Sequence, residues 1–206
     1  NQVPRGWIFR FGDGRLFQYL SQPLTEEEKI DVVTMEGMII QWIENPSEAV
    51  QLAAVTQSGY AIQWIAHPSE TVKLAAVTQS GYVLAYIINP SEAVLIAAVN
   101  RNADVIKYIK NPSEAVQIAA VTQDGTIIRF IENPSEGVQI AAVTKNGIAL
   151  YYIMNSSEAV KLTAVTRNGN AICYVDNPSE AIQLAAVTEC GFAIRFIKNP
   201  SKAVQL

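Results

Sequence analysis

The stretch Asn45–Ala66 reads NPSEAVQLAAVTQSGYAIQWIA, and the 22 residues that follow, His67–Ile88, read HPSETVKLAAVTQSGYVLAYII. The pattern restarts at Asn89, Asn111, Asn133, Asn155 and Asn177 without a slip, and Asn199 opens a further copy that reaches Leu206. A fixed period of this length outranks local propensity, because it means that one supersecondary unit is stacked many times. Numbering each repeat from 1 at its Asn, residues 45–198 hold seven full repeats and 199–206 a partial one. Thr25, Val33, Thr34, Gly37, Ile40, Trp42 and Ile43 fall in register upstream, so 23–44 reads as a degenerate first repeat.

The first half of each repeat reads as a helix. Asn at position 1 is expected at the N-cap, Pro at the first helical position, and Glu three residues after the Asn as the other half of a capping box. Gly59 and its equivalents are expected to close the helix in the left-handed conformation. In the second half, positions 17, 18, 20 and 21 are apolar and position 19 is polar, which fits one face of a short helix of six or seven residues. A strand would put polar 19 on the same side as apolar 17 and 21. Two such helices cannot bury their apolar surface alone, so neighbouring repeats must share a core.

The expected fold is therefore all-α, an α-solenoid of seven 22-residue helix-turn-helix repeats. The aromatic column Trp64, Tyr86, Tyr108, Phe130, Tyr152, Tyr174 and Phe196 is expected to run through its core. Residues 1–22 break the period. Trp7–Phe11 and Arg15–Leu20 flank Gly12-Asp13-Gly14 and read as a β-hairpin that caps the solenoid, which occupies 23–206.

Half of the 206 residues are apolar and 17% are charged, enough for a packed core and unlike a disordered tail. No apolar run approaches the roughly 18 to 20 residues of a spanning helix, and the opening NQVPRG shows no basic-then-apolar leader, so a soluble, intracellular, cytoplasmic protein is expected. The net charge of -4 argues against a generally basic nucleic-acid binder and permits a local basic stripe.

The core A-A-V-T-Q-x-G-x-A-I-x-aromatic-I resembles a family of short tandem helical repeats, known as a domain of unknown function, in which A-V-x-x-x-G-x-A-L-x-aromatic recurs. The similarity covers 23–206. It implies a helical array used for interaction and brings no catalytic residue with it. Ala103 departs from the glycine of that pattern.

Catalysis needs unlike groups converging on one pocket, whereas here like groups recur along the array, one per repeat. His67, the single histidine, fills the Asn slot and reads as a cap substitution. Cys173 and Cys190 have no CxxC or Cys/His spacing, so they read as free thiols, with no metal or cofactor expected. The Glu at position 4 of every full repeat, from Glu48 to Glu180, forms a ladder whose helix-start location already explains it.

The positions that vary are 13, 19 and 22, and the first two turn basic from the third full repeat onward. Arg101, Lys107, Arg129, Lys145, Tyr151, Arg167 and Arg195 are thus the candidate partner-binding surface. The third repeat also carries Leu95, Asn100 and Asn102-Ala103-Asp104 in place of its usual residues, and the sixth carries Ser156 and Thr163. The leading functional expectation is a non-enzymatic scaffold for a protein partner. A spacer that assembles end to end, and an array that engages or mimics nucleic acid, are the alternatives.

Overall fold

The structure, a computed structural model, describes Arg15 and residues 22–205. The expected hairpin lies outside the described residues apart from Arg15 and Gln22; Arg15 has 3-10 rather than strand geometry. The chain divides into two compact units, Asn1–Val105 and Ile106–Leu206. Among the described residues every element is helical, and each repeat is an α-helix followed by a 3-10 helix.

In the first unit the pairs are Glu26–Met35 with Gly37–Trp42, Glu48–Gln57 with Gly59–Trp64, and Glu70–Gln79 with Gly81–Tyr86, followed by the α-helix Glu92–Arg101. The 3-10 helix of that repeat, Ala103–Tyr108, forms without the usual glycine. In the second unit they are Glu114–Gln123 with Gly125–Phe130, Glu136–Lys145 with Gly147–Tyr152, Glu158–Arg167 with Gly169–Tyr174, and Glu180–Glu189 with Gly191–Phe196; the short helix Lys202–Gln205 follows. The degenerate repeat 23–44 is therefore a true repeat. Within each unit consecutive α-helices pack on one another, and the 3-10 helices that begin at Gly37, Gly59, Gly81, Gly125, Gly147 and Gly169 also pack on the α-helix of the next repeat.

The helix start differs from expectation. The N-cap is Ser at position 3, two residues after the Asn: Ser47 Oγ accepts from Val50 N, as Ser135 Oγ does from Val138 N, both at 3.3 Å. A hydroxyl one residue before the helix reaches the third helical N–H, which satisfies an orphan donor. Glu48 is thus the first helical residue. A reciprocal capping box exists in the degenerate repeat, between Thr25 and Glu28.

The Asn has a different task. Asn45, Asn89, Asn111, Asn133, Asn155 and Asn177 turn the chain between repeats with φ between 45° and 55°. Asn tolerates this left-handed region better than most side chains. His67 is not among these residues, so it is neither a cap nor a left-handed turn.

The glycine is also reassigned. The α-helix ends at Gln57, Ser58 is extended with φ -144°, and Gly59 opens the 3-10 helix. Glycine is required there by close approach: a Cβ on Gly59 would stand 2.7 Å from the carbonyl oxygen of Ala76 in the next repeat. Gly37, Gly125, Gly147 and Gly169 meet Ala54, Ala142, Ala164 and Ala186 in the same way.

Two polar ties accompany that contact. Ser69 donates its hydroxyl to Glu48 Oε1 at 2.5 Å and Ser157 to Glu136 at 2.5 Å, with Ser91–Glu70, Ser135–Glu114 and Ser179–Glu158 matching them. The Glu ladder is thus a row of struts between repeats. Position 13 or 14 of the following repeat accepts from the glycine N–H: Gly37 donates to Gln57 Oε1 at 2.7 Å, Gly81 to Asn102 Oδ1 at 2.9 Å and Gly169 to Glu189 Oε2 at 2.5 Å.

Candidate interaction surface

The core of a repeat is Val50, Ala54 and Val55 from the α-helix with Ala61, Ile62 and Ile65 from the second half, all buried. A 3-10 helix has three residues per turn, so side chains three apart eclipse. Gly59, Ile62 and Ile65 therefore form the inward row, while Tyr60 and Gln63 face out. Position 20 lies on the third row, below position 17. Position 17 is buried, whether Ala61 here or Ile39 and Ile127 in other repeats, and Trp64 at position 20 is not.

The aromatic column is consequently on the surface, contrary to the expectation that it is core. Trp64 is 49% exposed, Tyr108 70% and Tyr152 37%, and Trp42, Tyr86, Phe130, Tyr174 and Phe196 lie in between. Their neighbours at position 19 stand beside them. Lys107 Nζ lies 4.9 Å from the centroid of the Tyr108 ring, Arg129 4.6 Å from Phe130 and 5.9 Å from Tyr152, and Arg195 5.5 Å from Phe196. Tyr151, 63% exposed, meets Tyr152 edge-on at 5.0 Å and Tyr174 of the next repeat at 5.2 Å. In the first compact unit Tyr60 meets Tyr86 edge-on at 6.2 Å.

These contacts join Phe130, Arg129, Tyr152, Tyr151 and Tyr174 into one patch across three repeats. A groove of about 570 Å³ adjoins it, with Lys107, Lys110, Pro112, Gln117, Phe130 and Glu132 among its lining residues. The Tyr174 phenol is held above its ordinary pKa, first by partial burial and then by the Cys173 thiol beside it.

The seven candidate residues thus divide. Lys107, Arg129, Tyr151 and Arg195 accompany the aromatic column. Arg101, Lys145 and Arg167 are exposed at the last turn of their α-helices, in the slot where Gln57 and Glu189 serve the joint between repeats. Arg101 donates from Nε to Gln79 O at 3.2 Å, again at such a joint. The aromatic residues themselves were missed as surface because an α-helical period was assumed; the 15, 18, 21 spacing of Gly, Ile and Ile was the available signal.

Cys173 is exposed and Cys190 half-buried, and no group of three potential metal ligands occurs among the described residues. No helix among them is long and apolar enough to cross a membrane. Comparison with protein-family models, curated proteins and solved structures finds no match. The repeat architecture therefore rests on the chain's own 22-residue periodicity and not on the family it resembles.

Proposed function

We propose that the protein is a non-enzymatic, intracellular binding scaffold in which helical repeats stack as a solenoid and present the 3-10 face to a protein partner. The observation that carries this reading is the exposed aromatic column with cations lying on it. Tyr, Trp and Arg supply most of the binding energy where proteins meet, and rows of them left in water are uncommon on a surface without a ligand. Packing does not require them there, since the inward row of the 3-10 helices is filled by Gly and branched aliphatic residues, with Ala103 in place of the Gly in one repeat.

The surface is thus narrower than the seven candidates read from the sequence: Lys107, Arg129, Tyr151 and Arg195 belong to it together with Phe130, Tyr152 and Tyr174. Arg101, Lys145 and Arg167 lie at the helix ends, away from the aromatic column, and Arg101 bonds the Gln79 carbonyl of the preceding repeat.

A nuclease-treated pull-down from native lysate tests the reading with three baits: the intact chain, a variant carrying Arg129→Ser, Tyr151→Ser and Tyr152→Ser, and one carrying Lys145→Ser and Arg167→Ser. Capture of a protein by the first and third but not the second is expected. Equal capture by all three removes the 3-10 face from consideration. Recovery that disappears with nuclease points instead to nucleic acid.

A further inference from the structure

The outer face of the first compact unit differs in kind from that of the second. The 3-10 helices Gly37–Trp42, Gly59–Trp64 and Gly81–Tyr86 pack one on the next, so their position-20 rings Trp42, Trp64 and Tyr86 follow each other in a row. The three are exposed to nearly the same extent, 46%, 49% and 47%. Among the described residues no cation or second ring lies on Trp42 or Trp64, and Tyr86 meets Tyr60 edge-on. In residues 106–206 the rings of Tyr108, Phe130 and Phe196 carry Lys107, Arg129 and Arg195 instead.

Each Trp follows a glutamine that is fixed in the same way. Gln41 Nε2 donates to Met38 O and Gln63 Nε2 to Tyr60 O, both at 3.0 Å. That bond to the helix's own backbone holds the amide and leaves its carbonyl oxygen and second N–H for a ligand. A ring with a fixed amide therefore occurs in 23–44 and again in 45–66, and the next repeat keeps the ring with Ala85 in the glutamine slot.

Charge narrows what can lie on this row. From Tyr60 to Ile88 the outward positions 16, 19, 20 and 22 carry no charged side chain, and residues 23–105 hold three Lys and Arg against ten Asp and Glu. A phosphate backbone or an anionic lipid surface needs clustered cations, so neither matches. A polycation finds no acid on the row either, since Glu48 and Glu70 are engaged by Ser69 and Ser91 at the joints. A protein hot spot gathers its aromatic residues at the centre of one desolvated patch. One half-exposed ring per repeat suits a ligand that is itself a periodic, uncharged polymer.

A neutral polysaccharide is such a ligand. Each pyranose has an apolar C–H face that packs on an aromatic ring, and an edge of hydroxyls that exchange hydrogen bonds with side-chain amides. Equatorial β linkages keep successive sugars in an extended ribbon that a row of rings can follow, whereas α-linked glucose coils.

We infer that the 3-10 face of the first unit, from Gln41 to Tyr86, binds a neutral, extended glycan strand, with sugar rings on Trp42, Trp64 and Tyr86 and hydroxyls on the Gln41 and Gln63 amides. This is a second surface, independent of the protein-partner reading, which is carried by the rings and cations of the second unit.

Isothermal titration calorimetry with the full chain tests it. The probes are cellohexaose and mannohexaose, with maltohexaose as the coiled neutral control and a hyaluronan hexasaccharide as the β-linked charged one. The tighter of the two probes is expected to bind at least about tenfold better than either control. Trp64→Ala is expected to lose about tenfold and Trp64→Tyr, which keeps a ring, to lose less, with circular dichroism checking that both variants fold. Gln63→Leu is expected to weaken binding as well, and Tyr152→Ala, in the second unit, to leave it unchanged. No binding of either probe, equal binding of the hyaluronan fragment, or an affinity insensitive to Trp64→Ala overturns the inference. The pull-down with the Arg129, Tyr151 and Tyr152 variant reads the other surface, so either reading can fail while the other stands.

Discussion

The two faces of a repeat are built from equally regular residues and do opposite things. At the joint, Gly147 approaches the Ala164 carbonyl of the next repeat, and Ser157 bonds Glu136 of its own preceding neighbour. On the 3-10 face five residues along the chain, Tyr152 stands 37% exposed with Arg129 near its ring. At Gly147 a Cβ would stand 2.5 Å from that carbonyl oxygen, and Ala103 is the one such position among the full repeats that carries a side chain. The aromatic position is held to a size class but is free to be Trp, Tyr or Phe. Regular recurrence of an apolar residue is thus not proof of burial: positions 17 and 20 share one row of the 3-10 helix, and the first is buried while the second is exposed.

The largest effect that separates the faces is expected at the joint. Gly147→Ala forces a Cβ against backbone that cannot swing aside, and should cost about 3 kcal/mol, the upper end of overpacking; urea unfolding followed by circular dichroism reads it. A cost under about 0.5 kcal/mol would show that repeats can part without penalty and would erase the contrast.

The polar struts come next. Ser135→Ala removes both the N-cap acceptor of Val138 N and the donor to Glu114, and should destabilise by about 1 to 2 kcal/mol. Glu114→Gln, which leaves the cap intact and keeps an acceptor for the same hydroxyl, should lose less in the same unfolding measurement. Equal losses from the two variants would mean that the strut carries the whole effect and the cap none.

On the outer face the expected changes are small. Tyr151→Ala, at a position 63% exposed, should move stability by about 0.5 kcal/mol or less while abolishing partner capture. A large stability loss there would place Tyr151 with the joint.

The smallest effect concerns pH. Partial burial and the Cys173 thiol raise the Tyr174 phenol above its ordinary value, so its neutral form favours the folded state. The associated stability is fully present below the ordinary tyrosine pKa of about 10 and is lost as pH rises through the higher folded value. An alkaline titration of phenolate absorbance should lose its latest component in Tyr174→Phe. A lost component that titrates with the ordinary tyrosines would remove any influence of burial at this ring.

Much of the fold was legible from the period alone. The repeat boundaries, a first helix in the front half of each repeat and a short second helix follow from the recurrence of NPSEAV, AAVT and Gly, although the first helix starts at the Glu of position 4 and not at the Pro of position 2. What the residues did not reveal was how the backbone divides its tasks. Ser and Asn are both good caps by composition, and the choice of Ser47 over Asn45 depends on the left-handed turn that the Asn-Pro pair makes. Glycine after a helix suggests a left-handed stop, and the true reason for Gly59 is a carbonyl in the next repeat, that of Ala76.

The surface was half legible for the same reason. Lys107, Arg129, Tyr151 and Arg195 were found because they vary, whereas Tyr152 and Phe130 were assigned to the core because they recur. An α-helical wheel puts positions 17, 20 and 21 on one face; three residues per turn puts position 20 in a different row from position 21. Over six residues only the spacing of Gly, Ile and Ile at positions 15, 18 and 21 separates the two periods.

One pair of substitutions within a single repeat tests the account most directly: urea midpoints of Gly147→Ala and Tyr152→Ala, measured beside the parent chain. The glycine variant is expected to lose about 3 kcal/mol and the tyrosine variant about 1 kcal/mol or less, with native circular dichroism retained in the latter. A loss of about 3 to 5 kcal/mol for Tyr152→Ala, the cost of removing a buried aromatic, would return the aromatic column to the core and contradict the proposed binding face.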